Sequence, residues 1–391
     1  MKKRKSRQQK FIIFGTPDIQ KPEIGEVVDS LSNRWLGTGP KVARFERDFG
    51  AYKGVPHIAA VNSCTAALHL SMLALKLKRG DEVITSALTF CATVNAIIHA
   101  NLQPVLADID SRTMNIDPID IERRITPRTR AILPVHFAGR PCNMDWIMSI
   151  AKKNQLKVIE DCAHAIETEY MGRKSGTFGD FGCFSFYVTK NIATGEGGMV
   201  IARRERDIAR IKIMALHGMS KNAWKRFNDK GYKHYDVIEA GFKYNMMDLQ
   251  AALGIHQLAR VENNWIKRQS IWQRYQKEFL DLPLRRPPDP ETGTRHAYHL
   301  YTILINKKCT GISRDEFIRR MTINNIGVGV HYRSIPEHPF YQKRFGWRPS
   351  DYPNATRIGQ QTVSLPLSPA ISNEEIDRII CATHDTLGDK D

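Results

Sequence analysis

Val158-Ile159-Glu160-Asp161-Cys162-Ala163-His164-Ala165 is a short apolar run that closes on a carboxylate, with a histidine three residues after Asp161. Downstream, Phe184-Ser185-Phe186-Tyr187-Val188-Thr189 reads as a strand that delivers Lys190 into Asn191-Ile192-Ala193-Thr194-Gly195-Glu196-Gly197-Gly198, a turn rich in glycine. With 58 Lys and Arg residues in the chain, a given lysine is ordinarily a solvated charge. A lysine fixed at a strand end beside a sharp turn is different: it can be desolvated, lose its proton and form a Schiff base. Two strand ends thus point Asp161 and Lys190 toward one place.

Working outward, residues 58–202 alternate short apolar runs with helix-length segments. Ile58-Ala59-Ala60-Val61 precedes a helical stretch from Thr65 to Leu77, and Glu82-Val83-Ile84-Thr85 follows. Further runs stand at Pro104-Val105-Leu106-Ala107, Ala131-Ile132-Leu133-Pro134-Val135 and Lys157-Val158-Ile159. This alternation predicts an α/β domain around a mostly parallel sheet, whose ligands gather at the carboxyl ends of the strands. Residues 205–218 and 248–282 read as helices, the second opening with Asp248 as its cap. A smaller α+β domain follows, with a strand over 299–305, a helix over 313–324 and a closing helix over 374–387. The expected division is a basic, disordered tail at 1–12, a large domain at 13–265 and a small one at 266–391. Residues 220–238, dense in Lys, Asn, Asp and Tyr, read as a long loop.

The 391 residues suffice for two domains, and 42% hydrophobic with 25% charged residues is ordinary for a globular enzyme. No apolar run approaches the roughly eighteen residues that a membrane span needs. After the basic residues at the start, only Phe11-Ile12-Ile13-Phe14 precedes Gly15 and Pro17, too short an apolar core for a secretory signal. Seven cysteines, at 64, 91, 142, 162, 183, 309 and 381, show no paired metal spacing, so no metal is expected and a reducing cytoplasm fits. The net charge of +17 is scattered among acids beyond the tail, which favours a solvated basic surface with a bias toward small anions over nucleic-acid binding.

Asp161-Cys162-Ala163-His164, Gly179-Asp180, Ser185-Phe186, Lys190 and Gly195-Glu196-Gly197-Gly198, in that order, closely resemble the DegT/DnrJ/EryC1/StrS group of pyridoxal-phosphate-dependent sugar aminotransferases. The resemblance begins at Trp35-Leu36-Gly37-Thr38-Gly39-Pro40, continues through Asn62-Ser63-Cys64-Thr65-Ala66-Ala67-Leu68 and Pro134-Val135-His136, and reaches Ser364-Leu365-Pro366-Leu367. It implies the aspartate aminotransferase-like fold (fold type I) and pyridoxal 5'-phosphate as cofactor. Lys190 is then the covalent anchor and proton carrier. Asp161 faces the pyridine nitrogen and keeps it protonated, His164 approaches the ring or its phenolic oxygen, and Phe90 covers the ring face.

Ser63-Cys64-Thr65 runs straight into a helical stretch, so its backbone amides and the Thr65 hydroxyl form a phosphate site at a helix N-terminus. The family usually has Gly where this chain has Cys64, and Ser185 matches its second phosphate hydroxyl. In Gly241-Phe242-Lys243-Tyr244-Asn245-Met246, Lys243 and Asn245 stand where Asn and Arg are commoner, a variant similar to the branch that aminates UDP-4-keto-arabinose. In the family this loop crosses from a neighbouring subunit to the cofactor phosphate, which implies a homodimer with shared sites. Thr38, Gly39 and His331 lie where the family surrounds its nucleotide sugar. The implied reaction moves an amino group from L-glutamate, leaving 2-oxoglutarate, to a nucleotide-linked keto-sugar. Two alternatives are a sugar dehydratase of the same fold, in which histidine replaces the anchoring lysine, and a non-catalytic regulator.

Overall fold

The computed structural model describes residues 10–220, 227–228, 231–232 and 234–388. The expected basic tail lies outside the described residues up to Gln9, as do positions 221–226, 229–230 and 233 of the long loop. Seven strands form the central sheet: β1 (Ile58–Val61), β2 (Glu82–Ser86), β3 (Gln103–Ala107), β4 (Thr129–Leu133), β5 (Lys157–Asp161), β6 (Phe181–Ser185) and β7 (Gly198–Ala202). Their order is β1-β7-β6-β5-β4-β2-β3, and β7 alone runs antiparallel to its neighbours β1 and β6. The strands are short and almost wholly buried because layers of helix cover both faces. This is the mostly parallel α/β architecture expected from the alternation.

Helices α1 (Lys21–Ser32), α2 (Pro40–Lys53), α3 (Cys64–Ala74), α4 (Cys91–His99), α5 (Asp248–Ala259) and α6 (Val261–Glu278) carry the residues that matter below. On one face of the sheet α3 packs Ala67, Leu70 and Met72 against Ile159, Phe181 and Val200. On the other, Phe45 and Phe49 of α2 meet Phe184 and Phe186 with ring centroids 5.1–5.6 Å apart. Strand alternation at the end of β6 sends Phe184 and Phe186 into this core and leaves Ser185 facing the opposite side. Truncating one of these rings to Ala costs about 3–5 kcal/mol.

The C-terminal part pairs β8 (Tyr301–Leu304) with β9 (Thr362–Leu365) and packs α7 (Arg314–Ile323) and α8 (Asn373–Gly388) around Trp272, Tyr275 and Phe317. Ile12 belongs to this second core. It is 2% exposed and forms a parallel bridge with Ile326, so order begins within the segment read as a disordered tail.

Four expectations are corrected. The single helix over 248–282 is two helices meeting at Arg260, whose φ and ψ of −106° and 4° are not helical. Asp248 does not cap its own helix: it lies in the first turn of α5, and its carboxylate accepts the amides of Lys41 and Val42 at 3.1 and 3.0 Å. It therefore satisfies the free N–H groups at the start of α2 instead. The helix read from 205 ends at Met214, and Lys190 stands five residues beyond the end of β6 rather than at it, its amide bonded to Tyr187 O at 2.8 Å.

Candidate active site

A pocket of about 560 Å³ opens at the carboxyl ends of β5 and β6, between the sheet and the segment carrying His331 and Tyr332. Asp161, Lys190, His164, Phe90, Thr65, Cys64, Ser185 and His331 all line it. Residues from seven separate stretches of sequence thus converge on one cavity of the size that holds a cofactor with part of a substrate.

Asp161, the last residue of β5, is 4% exposed. One carboxylate oxygen accepts Thr93 Oγ1 at 2.9 Å and the other the amide of Ala163 at 3.0 Å. Thr93 is oriented in turn by Thr89, oxygen to oxygen 2.8 Å. Burial pushes the Asp161 carboxyl above its ordinary range, against the pull of the Ala163 amide, the Thr93 hydroxyl and Lys190. The Lys190 amine has no hydrogen bond or ion pair among the described residues. Desolvation dominates and pulls its pKa down to about 8, with Cys64 and Asp161 opposing. Desolvation thereby favours the neutral form of the amine, the form that can act as a nucleophile.

His164 is buried, and its tautomer follows from its partners. Nδ1 accepts the amide of Ala138 at 3.2 Å, so the ring proton sits on Nε2, which donates to the Tyr332 hydroxyl at 3.0 Å. Tyr332 keeps its own proton free to donate toward the pocket, and burial holds its pKa well above the ordinary value. His331 Nδ1 lies 2.9 Å from Ser364 Oγ, and burial with Lys190 nearby lowers its pKa to about 3. Burial likewise holds His164 and His299 well below the ordinary histidine value, so all three imidazoles are neutral.

Behind Lys190 a buried polar chain fixes its neighbour. Asn191 Nδ2 donates to Glu167 Oε2 at 2.8 Å and to Ala297 O at 3.0 Å, and its Oδ1 faces His299 Nδ1 at 2.9 Å. Glu167 is ion-paired to Arg268 of α6, both fully buried, and the His299 ring lies 4.4 Å from His164. None of Glu167, Arg268, Asn191, His299, Tyr332 or Thr93 was singled out from the sequence. Thr93 stands one helical turn after Phe90 and Tyr332 directly follows His331, so local spacing could have found those two. Arg268 carries no local signal.

The opposite wall is the N-terminus of α3. Ser63 caps it, accepting the Ala66 amide at 3.1 Å, and the first-turn amides of Cys64 and Thr65 have no carbonyl of their own helix to bind. The Cys64 side chain is buried, and desolvation, with the Asp161 charge adding to it, holds its thiol protonated. Gly198 allows this turn to sit against β7: a Cβ there would meet Ser63 C at 2.5 Å and Cys64 N at 2.7 Å.

Thr38, Gly39, Lys243 and Asn245 do not line this pocket. Within the chain Lys243 Nζ donates to Asn245 Oδ1 at 2.8 Å, Asn245 Nδ2 to Thr38 Oγ1 at 2.6 Å, and Thr38 Oγ1 to Met246 O at 2.5 Å. Gly39 is required beside them, since a Cβ would overlap the Trp35 indole at 1.9 Å. His136, Glu160 and Cys162 cluster within 4.8 Å, a grouping that resembles a metal site. Glu160 instead accepts the amides of Gly176, Phe178 and Gly179 at 2.7–2.8 Å and His136 Nε2 at 3.1 Å, and His136 Nδ1 accepts the Cys142 amide, so these donors are already saturated. All seven cysteines are free thiols.

Residues 17–384 match the model of the DegT/DnrJ/EryC1/StrS aminotransferase family. The spore coat polysaccharide biosynthesis protein SpsC of Bacillus subtilis is 46% identical over 382 residues, covering 97% of this chain and 98% of that protein. Spr1654 of Streptococcus pneumoniae, designated a sugar aminotransferase, is 32% identical in its PMP-form, with a TM-score of 0.90 over 96% of this chain and 99% of that one. PseC of Helicobacter pylori, an aminotransferase involved in the biosynthesis of pseudoaminic acid, is 27% identical with a TM-score of 0.90 over 97% and 100% of the two chains. This chain is a member of the DegT/DnrJ/EryC1/StrS aminotransferase family.

Proposed function

We propose that the protein is a pyridoxal-phosphate-dependent aminotransferase that moves an amino group from L-glutamate to a keto-sugar carried on a nucleotide, in amino-sugar or surface-polysaccharide biosynthesis in the cytoplasm. The observation that carries this reading is the convergence of a desolvated Lys190 amine and a buried Asp161 carboxylate on a pocket walled by a helix N-terminus. The pocket's residues fit the cofactor. Lys190 is the covalent anchor, Asp161 the partner of the ring nitrogen, and Phe90, 55% exposed at the pocket, offers its face to the ring. The Cys64 and Thr65 amides with the Thr65 and Ser185 hydroxyls suit a phosphate. When bound, the cofactor supplies an electron sink for the carbon that loses its proton.

The remaining work falls to the chain. The Lys190 amine, once free, carries a proton between neighbouring carbons, and a pKa of about 8 lets it both accept and release that proton near neutrality. Asp161 retains the proton on the ring nitrogen. His164 reaches this region through Tyr332, whose free hydroxyl proton points at incoming substrate together with His331.

A homodimer completes the site in this reading. Ile24, Val28 and Leu31 of α1 are 56%, 52% and 54% exposed at one-face spacing, and Trp35 and Leu36 extend the stripe toward Thr38. A second subunit covering this stripe would carry Lys243 and Asn245 to its partner's phosphate site. Residues 13–265 and 266–391 then act as large and small domains.

Borohydride reduction of the cofactor-loaded protein, followed by peptide mapping, tests the anchor: attachment at any lysine other than Lys190 overturns it. A panel of keto-sugar nucleotides, assayed for glutamate-dependent amination, tests the substrate class.

A further inference from the structure

A second cavity, of about 680 Å³ against 560 Å³ for the pocket around Lys190, opens at the other end of the sheet. Val55-Pro56-His57 leads into β1, Gly179 precedes β6 and Arg203 follows β7, so it lies at the amino ends of the parallel strands. At about 3.3 Å per residue, the length of a strand separates it from the Lys190 pocket. Among the described residues its lining includes Lys53, His57, Arg173, Lys174 and Arg203 and no Asp or Glu.

Apart from Lys174, the cations are held in place by groups that do not neutralise them. Lys53 is 4% exposed, yet its amine donates only to Ile166 O at 3.1 Å and Ser175 Oγ at 3.5 Å and lies 4.8 Å from the centre of the Phe184 ring. Arg173 donates Nε to Thr177 Oγ1 at 3.1 Å and Nη2 to Thr177 O, over the Phe178 ring. Arg203 donates Nη2 to the next carbonyl, Phe178 O, at 2.7 Å. Two guanidinium groups are thus anchored on consecutive carbonyls. Among the described residues neither they nor Lys53 lie within ion-pair distance of a carboxylate. Lys174 has the only such contact, Nζ to Glu169 Oε1 at 3.7 Å.

The nearest interior carboxylates are engaged elsewhere: Glu160 by three amides and His136, Glu167 by Arg268 and Asn191. Burial, with Lys174 adding to it, pulls the Lys53 amine down to about 8, against the weaker opposing pull of Cys162, Glu160 and Glu167. Like charges brought together without a partner repel, and an anion seated among them removes that cost.

We propose that this cavity binds a small phosphate-bearing anion of two or more negative charges, at a site separate from the one that holds Lys190. Planar guanidinium groups match phosphate oxygens two at a time, and a volume between roughly 300 and 1,000 Å³ is that of a small-molecule site. The site's existence does not depend on the aminotransferase reading.

The experiment is calorimetric titration of the full-length, cofactor-loaded protein with inorganic pyrophosphate at physiological ionic strength, repeated on Arg173→Gln/Arg203→Gln and on Lys243→Ala. The wild type should bind, and so should Lys243→Ala. The double variant should bind at least tenfold more weakly at this site, with its unfolding midpoint in buffer and its basal activity unchanged. Inorganic phosphate, with fewer charges, should bind the same site more weakly. Arg203→Glu supplies a second variant: pyrophosphate should raise the thermal unfolding midpoint of the wild type and leave that of Arg203→Glu unmoved. Absence of binding to the wild type, or the same isotherm for the wild type and the double variant, overturns the proposal, because either would mean that the cavity is ordinary basic surface.

Discussion

Lys190→Met removes the amine while retaining most of the apolar stem, and the structure gives that change a sign and a size. The folded amine titrates at about 8 against 10.5 for an ordinary lysine, because desolvation penalises the charged form. At pH 7 about one folded molecule in ten then carries a neutral amine, against about one in three thousand for a solvated lysine. Between the two values the unfolded chain holds a proton that the folded chain has shed, so stability rises with pH across this window. Below about pH 8 both states are protonated, and the folded state bears the full cost of a desolvated ammonium. Each decade corresponds to about 1.4 kcal/mol. Because Lys190 keeps part of its surface on the pocket, water reduces the total to on the order of 1–3 kcal/mol.

Cofactor-free Lys190→Met should therefore unfold at a higher temperature than the cofactor-free wild type at pH 7. That advantage should shrink as pH rises from 8 and vanish near 10.5, read as the difference between the two proteins so that other titrating groups cancel. In parallel, the rate at which the cofactor-free wild type takes up pyridoxal phosphate covalently, trapped with borohydride at each pH, should rise with a midpoint near 8. Equal stabilities at pH 7 together with an attachment midpoint near 10.5 would refute the reasoning, since both would mean a solvated amine.

Three further outcomes are expected. Asp161→Asn keeps the contact with Thr93 but loses the charge, so the half-reaction with glutamate should slow by about 100-fold or more, and a wild-type rate in stopped-flow absorbance would remove the electron-sink role. Glu167→Leu leaves Arg268 buried and unpaired and should cost about 3–5 kcal/mol in denaturant unfolding, with much of the loss recovered in Glu167→Leu/Arg268→Met; no recovery would show that the pair is not the unit that matters. Mixing inactive Lys190→Ala subunits with nearly inactive Lys243→Glu/Asn245→Ala subunits should restore part of the wild-type activity, because a mixed dimer holds one site with an intact lysine and an intact partner loop. Verified subunit exchange without activity would mean that the loop does not act in trans.

What could be read from the sequence follows how far apart the interacting residues stand. The buried strands announce themselves because both faces are covered, so each is a compact apolar run between polar breaks. Asp161 and Lys190 are legible for a related reason: each is tied to a strand and a turn only a few residues long. Asp248 was misplaced because its carboxylate serves Lys41 and Val42, more than 200 positions earlier in the chain, and nothing near residue 248 records that partnership. The break at Arg260 is hidden in the same way, because neither Pro nor Gly marks it.

The chain behind Lys190 joins Glu167 to Arg268 across 101 positions and Asn191 to His299 across 108, so the fold alone creates it. Thr38, Lys243 and Asn245 mark a further step along the same scale. The structure brings them together with one another, yet outside the pocket that holds Lys190. In the proposed shared site, their contribution to a phosphate would depend on a second chain, a relation that neither local sequence nor the folding of one subunit contains. That dependence makes the subunit-mixing experiment the sharpest test of the shared site: it asks for activity that no single chain in the mixture possesses.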